Sequence, residues 1–394
     1  MSDPLSGIVV LDLTHVLAGP FSAMTLGDLG AHVIKVERPA TGDDTRAFPP
    51  FVGKDSAYFA ALNRGKQSIA LDLKAPPDRA VFDRLLARAD VLLENFRPGT
   101  MERLGYGYED LSKRFPKLVY GAVSGFGHSG PESGKAAYDM VIQARGGVMS
   151  ITGEEGGKPV RVGASIGDVT AGLYLTQGIL AALFRRERTG EGAKVDIAML
   201  DSQVAILEHA LVLASVTGRA PGPTGARHPT IAPFSTFRAA DGFVVIAAGN
   251  DRLFRTLCGA LGIPEMADDS AFATNTARAA NVHLLKRRIE AVTLTKGRTE
   301  WVAAFEAAGV PTGLVQDMTE VLADPQLLAR NMIVRIEGRN DGPAFVAAGN
   351  PIKMTGLDDT ARRPPAPSLD GDRQAVLDWL GAPAGTGGTG RSST

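Results

Sequence analysis

Asp168 is the side chain with the clearest chemical promise. It stands in SIGDVTAG (Ser165 to Gly172), directly ahead of LYLTQGILAALFRRERTGEG. A carboxylate among small residues at the head of a long apolar helix has two uses. It is a preferred N-cap, because it accepts unpaired N–H groups of the first turn and its charge suits the helix dipole. It is also the kind of group that forms a covalent acyl intermediate when a carbonyl is placed beside it. Local sequence favours the cap and leaves the nucleophile open. A second set of candidates follows apolar runs that read as strands: Arg38 after VIKVE, Lys74 after ALDL, then Asn95, Phe96 and Arg97 after VLLE, and Arg103 shortly after. Ligands bind at the carboxyl ends of open parallel sheets, and several cations on one such edge suit a polyphosphate. Any one of them alone reads equally well as a solvated surface charge.

The elements that must position these groups are legible from pattern. GIVVLDL (Gly7 to Leu13) is a buried strand, PFSAMTLGDLG has helical character, and AHVIKVE is a second strand, which makes a βαβ unit. SIALDL, DRAVFDRLLARA, DVLLENF and LVYGAVSGF continue the alternation. A doubly wound parallel sheet follows. A long helix runs from Ser165 to about Arg188, and KVDIAMLDSQVAILEHALVLASVTG adds an edge strand and more helix. The Gly/Pro-rich GRAPGPTGARHP (Gly218 to Pro229) reads as a linker. Beyond it, STFRAADGFVVIAAG has the pattern of an antiparallel hairpin, and helical segments follow around RLFRTLCGALG, VHLLKRRIEAVTLT and TEWVAAFEAAG. No internal repeat is visible.

Composition narrows the function classes. Of 394 residues, 44% are hydrophobic and 22% charged, with a net charge of −1. Such balance points away from nucleic acid and membrane surfaces and towards small-molecule partners. Cys258 is the single cysteine, so no intrachain disulfide is available and a reducing cytoplasm fits. The start, MSDPLSG, lacks a targeting pattern, and no apolar stretch reads as long enough to span a bilayer. Glu37 ends the second strand as a ribose-binding acid would, but the first turn is THVLAGP and carries no G-x-G-x-x-G fingerprint, which disfavours NAD. The phosphate-loop and G-x-S-x-G patterns are missing too, and the six histidines show no zinc spacing.

The stretches LDLTHVLAGPFSAMTLGDLGAHVIKVERP, NRGKQSIALDLK, ENFRPGTMERLG, YDMVIQARGGVMSITG, GDVTAGLY and RTGEGAKVDIAMLDSQ, in order over nearly the whole chain, resemble the class III coenzyme A transferases of the CaiB/BaiF family. GDDTRAFPPFVG and AAGNDRLF look most like its succinyl-CoA:glutarate and other dicarboxylate members. The resemblance makes Asp168 the covalent nucleophile. It implies CoA contacts at His15, Val16, Arg38, Lys74, Asn95, Phe96 and Arg103; a family lysine has no clean match, since Ala136 stands in its place, and Lys135, one residue earlier, is the candidate for that CoA contact. CoA is then a substrate, with no permanently bound cofactor. Arg46 in GDDTR is expected to meet the distal carboxylate of a dicarboxylate substrate by a two-pronged contact, against the simpler reading of a pair with Asp43 or Asp44. The architecture implied is α/β: a large Rossmann-like domain over 1–200, a linker over 201–228, a small α+β domain over 229–315, and a return over 316–382 into the large domain. The resemblance also implies that two such ring-like chains interlock as a homodimer. Residues 383–394 are too polar and glycine-rich to order.

A carboxylate attacking a thioester gives a mixed anhydride, reactive enough for the thiolate to return, and this implies a cycle of aspartyl anhydride and aspartyl-CoA thioester. The helix start would keep Asp168 ionised, and backbone N–H groups of the GDVTAG and AAGN turns would meet the oxyanions. Two alternatives stand beside transfer. The family's racemases need a histidine where this chain has Tyr138, a phenol and so a poor general base, which stands here as a candidate substrate contact. A non-catalytic CoA-binding protein has no use for Asp168. The formyl/oxalate members carry a GGGGQ run that is missing here, which lowers oxalate as an acceptor.

Overall fold

The computed structural model describes residues 3–339 and 342–382, so the tail expected to be disordered lies outside the described residues. Its main sheet has strands β1 (Val9–Asp12), β2 (His32–Glu37), β3 (Gln67–Ala70), β4 (Val91–Glu94), β5 (Val119–Ser124) and β6 (Lys194–Ala198). They lie in the order β3-β2-β1-β4-β5-β6, and every pairing is parallel. From β1 the chain winds outward to β3, then crosses back to β4. The crevice between the carboxyl ends of β1 and β4 is the switch point where open α/β sheets take ligands.

Alternation along each strand feeds two cores. Leu11, Leu92 and Tyr120 face one side with Phe82, Leu85 and Leu86 of α2 (Pro76–Leu86). Val10, Leu93 and Val119 face the other, with α1 (Ala18–Asp28) and α4 (Ile166–Thr189). Each fully buried aliphatic or aromatic side chain contributes about 1.5–3 kcal/mol. The α2 helix starts on a proline and carries Asp78 in its first turn and Arg84 in its last, as the helix dipole favours. In chain order the short α3 (Asp139–Arg145) comes between α2 and α4.

The 24-residue α4 has the length the sequence led one to expect, but it is more apolar than the pattern suggested. Its mean hydropathy of 1.3 reaches the membrane-spanning range, yet half of that stretch is buried inside the protein. It ends at Gly190, whose φ of 74° is the left-handed cap geometry that glycine adopts without strain. The bare edge at β3 is closed by the returning chain: Asp372 and Asp370 accept the N–H groups of Ser68 and Ala70 at 2.9 and 2.7 Å, and Val376 and Leu380 enter the core.

The chain divides into two compact units. One takes the residues up to Val148, Arg161–Val212 and those from Pro325; the other takes Met149–Val160 and Leu213–Asp324. The second unit has its own core around Phe237, Ile246, Leu257, Ile289 and Phe305. Its hairpin, Phe234–Ala239 with Gly242–Ala247, follows the sequence pattern, whereas the third strand, Thr312–Leu314, is too short to show a period.

Candidate active site

Asp168 lies in the first unit, at the third residue of α4, whose N-cap is Ser165. It is therefore not the cap that local sequence favours: its side chain caps nothing, and its carboxylate has no hydrogen-bond partner among the described residues. Position follows from small residues. Asp168, Gly172 and Thr176 share one face of α4, one turn apart. A Cβ at Gly172 would stand 2.6 Å from the Ala18 carbonyl oxygen, and the Thr176 hydroxyl donates to Ser22 at 3.0 Å. Helix α1 thus presses directly on this face, and the turn ahead of the contact carries Asp168.

Electrostatics at Asp168 also differ from expectation. Burial, with the nearby charge of Asp139 as a second cause, pushes its carboxyl up to about 7. The half-charge of a helix N-terminus does not outweigh this desolvation. Asp139, the first residue of α3, accepts the Gly167 N–H at 2.9 Å and Gln143 at 2.8 Å, and Arg161 approaches it at 3.3 Å. The Gly167 N–H is thereby occupied, which removes it as an oxyanion donor. In AAGN, which lies in the second unit, the Asn250 side chain caps the following helix.

At the switch point the structure brings together His15, Val16, Asn95 and Phe96. The Asn95 amide accepts the His15 N–H and donates to the His15 carbonyl, both at 2.8 Å, and the rings of His15 and Phe96 lie 5.4 Å apart. Burial and the charge of Lys35 push the His15 imidazole downward, so it is neutral at neutral pH, and its Nδ1 is buried without a partner among the described residues. Arg38, Lys74 and Arg103 are exposed beyond the same strand ends. Arg38 pairs with Asp44, Arg103 donates to Thr100, and the Lys74 side chain has no partner among the described residues.

One expectation meets a different geometry. The Arg46 guanidinium is not open to a substrate carboxylate: it donates to both oxygens of buried Glu37 at 2.8 and 2.6 Å, to the Pro367 carbonyl, and stacks on Phe59 at 3.8 Å. Nor does it pair with Asp43 or Asp44. Its fork is filled by the glutamate that ends β2, and that pairing satisfies the buried Glu37 carboxylate. Lys135 pairs with Glu132 at the surface, and Tyr138, 77% exposed, faces solvent.

Other groups near the site carry little sequence signal. Tyr58 is pushed upward by burial and by the charges of Asp168, Asp43 and Asp139, which places its hydroxyl in the field of the nucleophile candidate. Asp12, Lys35, Asp43 and Lys66 form a fully buried charge cluster under the β1–α1 loop: Lys66 meets Asp12 at 2.7 Å and Lys35 meets Asp43 at 3.0 Å. Burial pushes Lys66 down to about 8, while Lys35 and Lys66 hold Asp12 at about 2 despite its burial. Charges inside otherwise apolar strands, such as the lysine of HVIKVE, are the one sequence trace of it.

The chain was compared with known proteins. Residues 5–373 match the family described as CoA-transferase family III. Acetyl-CoA:oxalate CoA-transferase of Acetobacter aceti is 46% identical over 96% of both chains. Human succinyl-CoA:glutarate CoA-transferase is 40% identical over 92% of this chain and 83% of its own length. A solved CAIB/BAIF family protein from Brucella suis superposes with a TM-score of 0.85 at 39% identity, covering 96% of this chain and all of that one. A match over nearly the full length, with a switch-point crevice and an unpartnered carboxylate in the same unit, has one meaning: this chain belongs to CoA-transferase family III.

Proposed function

We propose that the protein moves CoA from an acyl-CoA donor to a short dicarboxylate, with Asp168 as the covalent relay. The observation that carries the reading is the carboxylate itself, partly buried, unpaired and pushed up to about 7. A more basic carboxylate is the better nucleophile once ionised, and one with no hydrogen bonds to break is ready to attack. In the first half-cycle Asp168 attacks the thioester carbonyl and expels the CoA thiolate, leaving a mixed anhydride. The thiolate returns to the aspartyl carbonyl, freeing the donor acid and leaving an aspartyl-CoA thioester. The acceptor carboxylate then attacks that thioester, and the thiolate takes the acceptor's acyl group from the second anhydride. Over the cycle the donor's C–S bond is lost and the acceptor's is formed, the donor acid is released and Asp168 is regenerated.

His15, Val16, Asn95 and Phe96 lie where a nucleotide end meets the switch point, with Arg38, Lys74 and Arg103 beyond the strand ends for phosphates. The acceptor class is drawn from relatives named for glutarate, oxalate and mesaconate, all dicarboxylates. Oxalate, disfavoured by sequence pattern, returns as a candidate because the 46% identical relative is named for it. With Arg46 committed to Glu37, the partner of the distal carboxylate lies elsewhere in the site. A second copy of this chain is part of the reading, supported by α5 (Glu208–Thr217): it buries no residue in the single chain although Leu211, Val212 and Val216 are 53, 60 and 80% exposed. The reduced, buried Cys258 fits a cytoplasmic setting.

Hydroxylamine tests the relay. Enzyme incubated with acyl-CoA and then hydroxylamine is expected to carry a hydroxamate on the peptide containing Asp168, read by mass spectrometry. An Asp168→Ala variant that still transfers CoA would end the proposal.

A further inference from the structure

The loop between β1 and α1 is held more tightly than its length requires. Side chains from elsewhere in the unit grip three successive residues. Asp12 accepts the Thr14 N–H at 2.9 Å, and Lys35 Nζ donates to the Thr14 carbonyl at 2.7 Å. Asn95 grips both main-chain groups of His15. Asp43 Oδ1 accepts the Val16 N–H at 3.3 Å.

Val16 is the residue that needs holding. Its φ is 67°, the left-handed region, where a β-branched side chain crowds its own backbone and persists only if its surroundings impose the conformation. Asp43 is itself immobilised: it is fully buried, accepts the Thr45 N–H and hydroxyl at 2.9 and 2.7 Å, and faces Lys35 with its other oxygen. Lys66, held by Asp12 at 2.7 Å and by Asn63 at 2.8 Å, completes a set of two buried anions and two buried cations under the loop. Such clusters contribute little net stability compared with apolar packing. Their value here is geometric, since each charge fixes a donor or acceptor that meets the loop or holds a group that does.

We propose that Asp43 is a positioning residue whose Oδ1 holds Val16 in the left-handed conformation and so sets the angle at which residues 14–16 meet acyl-CoA. The proposal rests on the reading that His15 and Val16 contact CoA. It separates two things that Asp43 supplies, a charge for Lys35 and an acceptor for Val16. Asp43→Ala and Asp43→Asn both remove the charge, but the asparagine keeps an oxygen at the acceptor position. Titration of the full-length protein with free coenzyme A, followed by calorimetry, is expected to give a Kd about tenfold weaker for Asp43→Ala than for Asp43→Asn. Adding Val16→Gly to both should close that gap, because glycine adopts the left-handed region unaided.

A gap of the same size with Val16→Gly in place overturns the proposal, as does no gap at all while His15→Ala weakens CoA binding. If His15→Ala and both Asp43 variants alike leave CoA binding unchanged, the assignment of this loop to CoA fails and takes the proposal with it. Should the Asp43 variants not fold, thermal unfolding of Val16→Gly against Val16→Ala decides, since both lose the valine branch and only glycine takes the left-handed region unaided. A higher midpoint for the glycine variant is expected, and a lower one shows that there was no strain to hold.

Discussion

With its carboxyl at about 7, Asp168 is only half ionised at neutral pH, and two measurable consequences follow. The first concerns rate. Only the carboxylate attacks, so kcat/KM for acyl-CoA is expected to climb with pH through an inflection near 7. Glu94, buried beneath the Phe96 N–H it accepts, is also pushed to about 7, so the inflection alone does not identify the group. Asp139→Asn does: it removes a charge felt by Asp168, and a pH–rate profile should show the inflection move downward, by less than the full shift because burial is the larger cause. The second concerns stability. The folded pKa lies above the unfolded value of 3.8, so the folded state holds the proton more tightly and stability falls as pH rises from about 4 to about 7. Asp168→Asn should therefore stabilise the protein by about 1–3 kcal/mol near pH 8, discounted for partial exposure, and much less near pH 4. Denaturant unfolding at the two pH values checks this.

Among the elements, the crossing of α4 over α1 decides where Asp168 stands. Gly172 allows that crossing, and Gly172→Ala would place a methyl 2.6 Å from a main-chain oxygen that cannot turn away. Overpacking of this kind costs about 1–3 kcal/mol, and a shift of α4 carries Asp168 with it. The variant is expected to lose stability in thermal unfolding and to lose kcat more than CoA affinity, since the β1–α1 loop has its own anchors in Asn95, Lys35 and Asp43. A substitution on the solvent side of the same helix, Arg188→Ala, should change neither by a comparable amount.

For the whole molecule, α5 is the element that a lone chain leaves unexplained. Ten residues with a largely apolar sequence and no buried side chain are unstable in water without a partner. If a second copy covers them, Val216→Glu and Leu211→Glu should shift the protein from dimer to monomer in sedimentation or light scattering, with activity falling alongside. An unchanged mass would show that the apolar face has another occupant or none.

Sequence by itself determined what depends on local period and on residue type. Strands of alternating or continuous apolar residues separated by amphipathic helices dictate the parallel sheet, and the order of matched stretches marks Asp168 and the strand-end residues as the candidate site. Tertiary structure decided what depends on who is beside whom. Arg46 in isolation has the chemistry of a carboxylate clamp, and only the fold reveals that Glu37, nine residues earlier, fills it. Asp168 has a cap's composition, but the helix begins at Ile166 and burial raises the carboxyl's pKa. Asp12, Lys35, Asp43 and Lys66 are scattered over more than fifty residues and become one cluster only when β1, β2 and the adjoining segments pack side by side. Desolvation and charge pairing act through space and leave no period in the chain, which is why the left-handed Val16 and the acceptor that holds it appear only in the folded molecule.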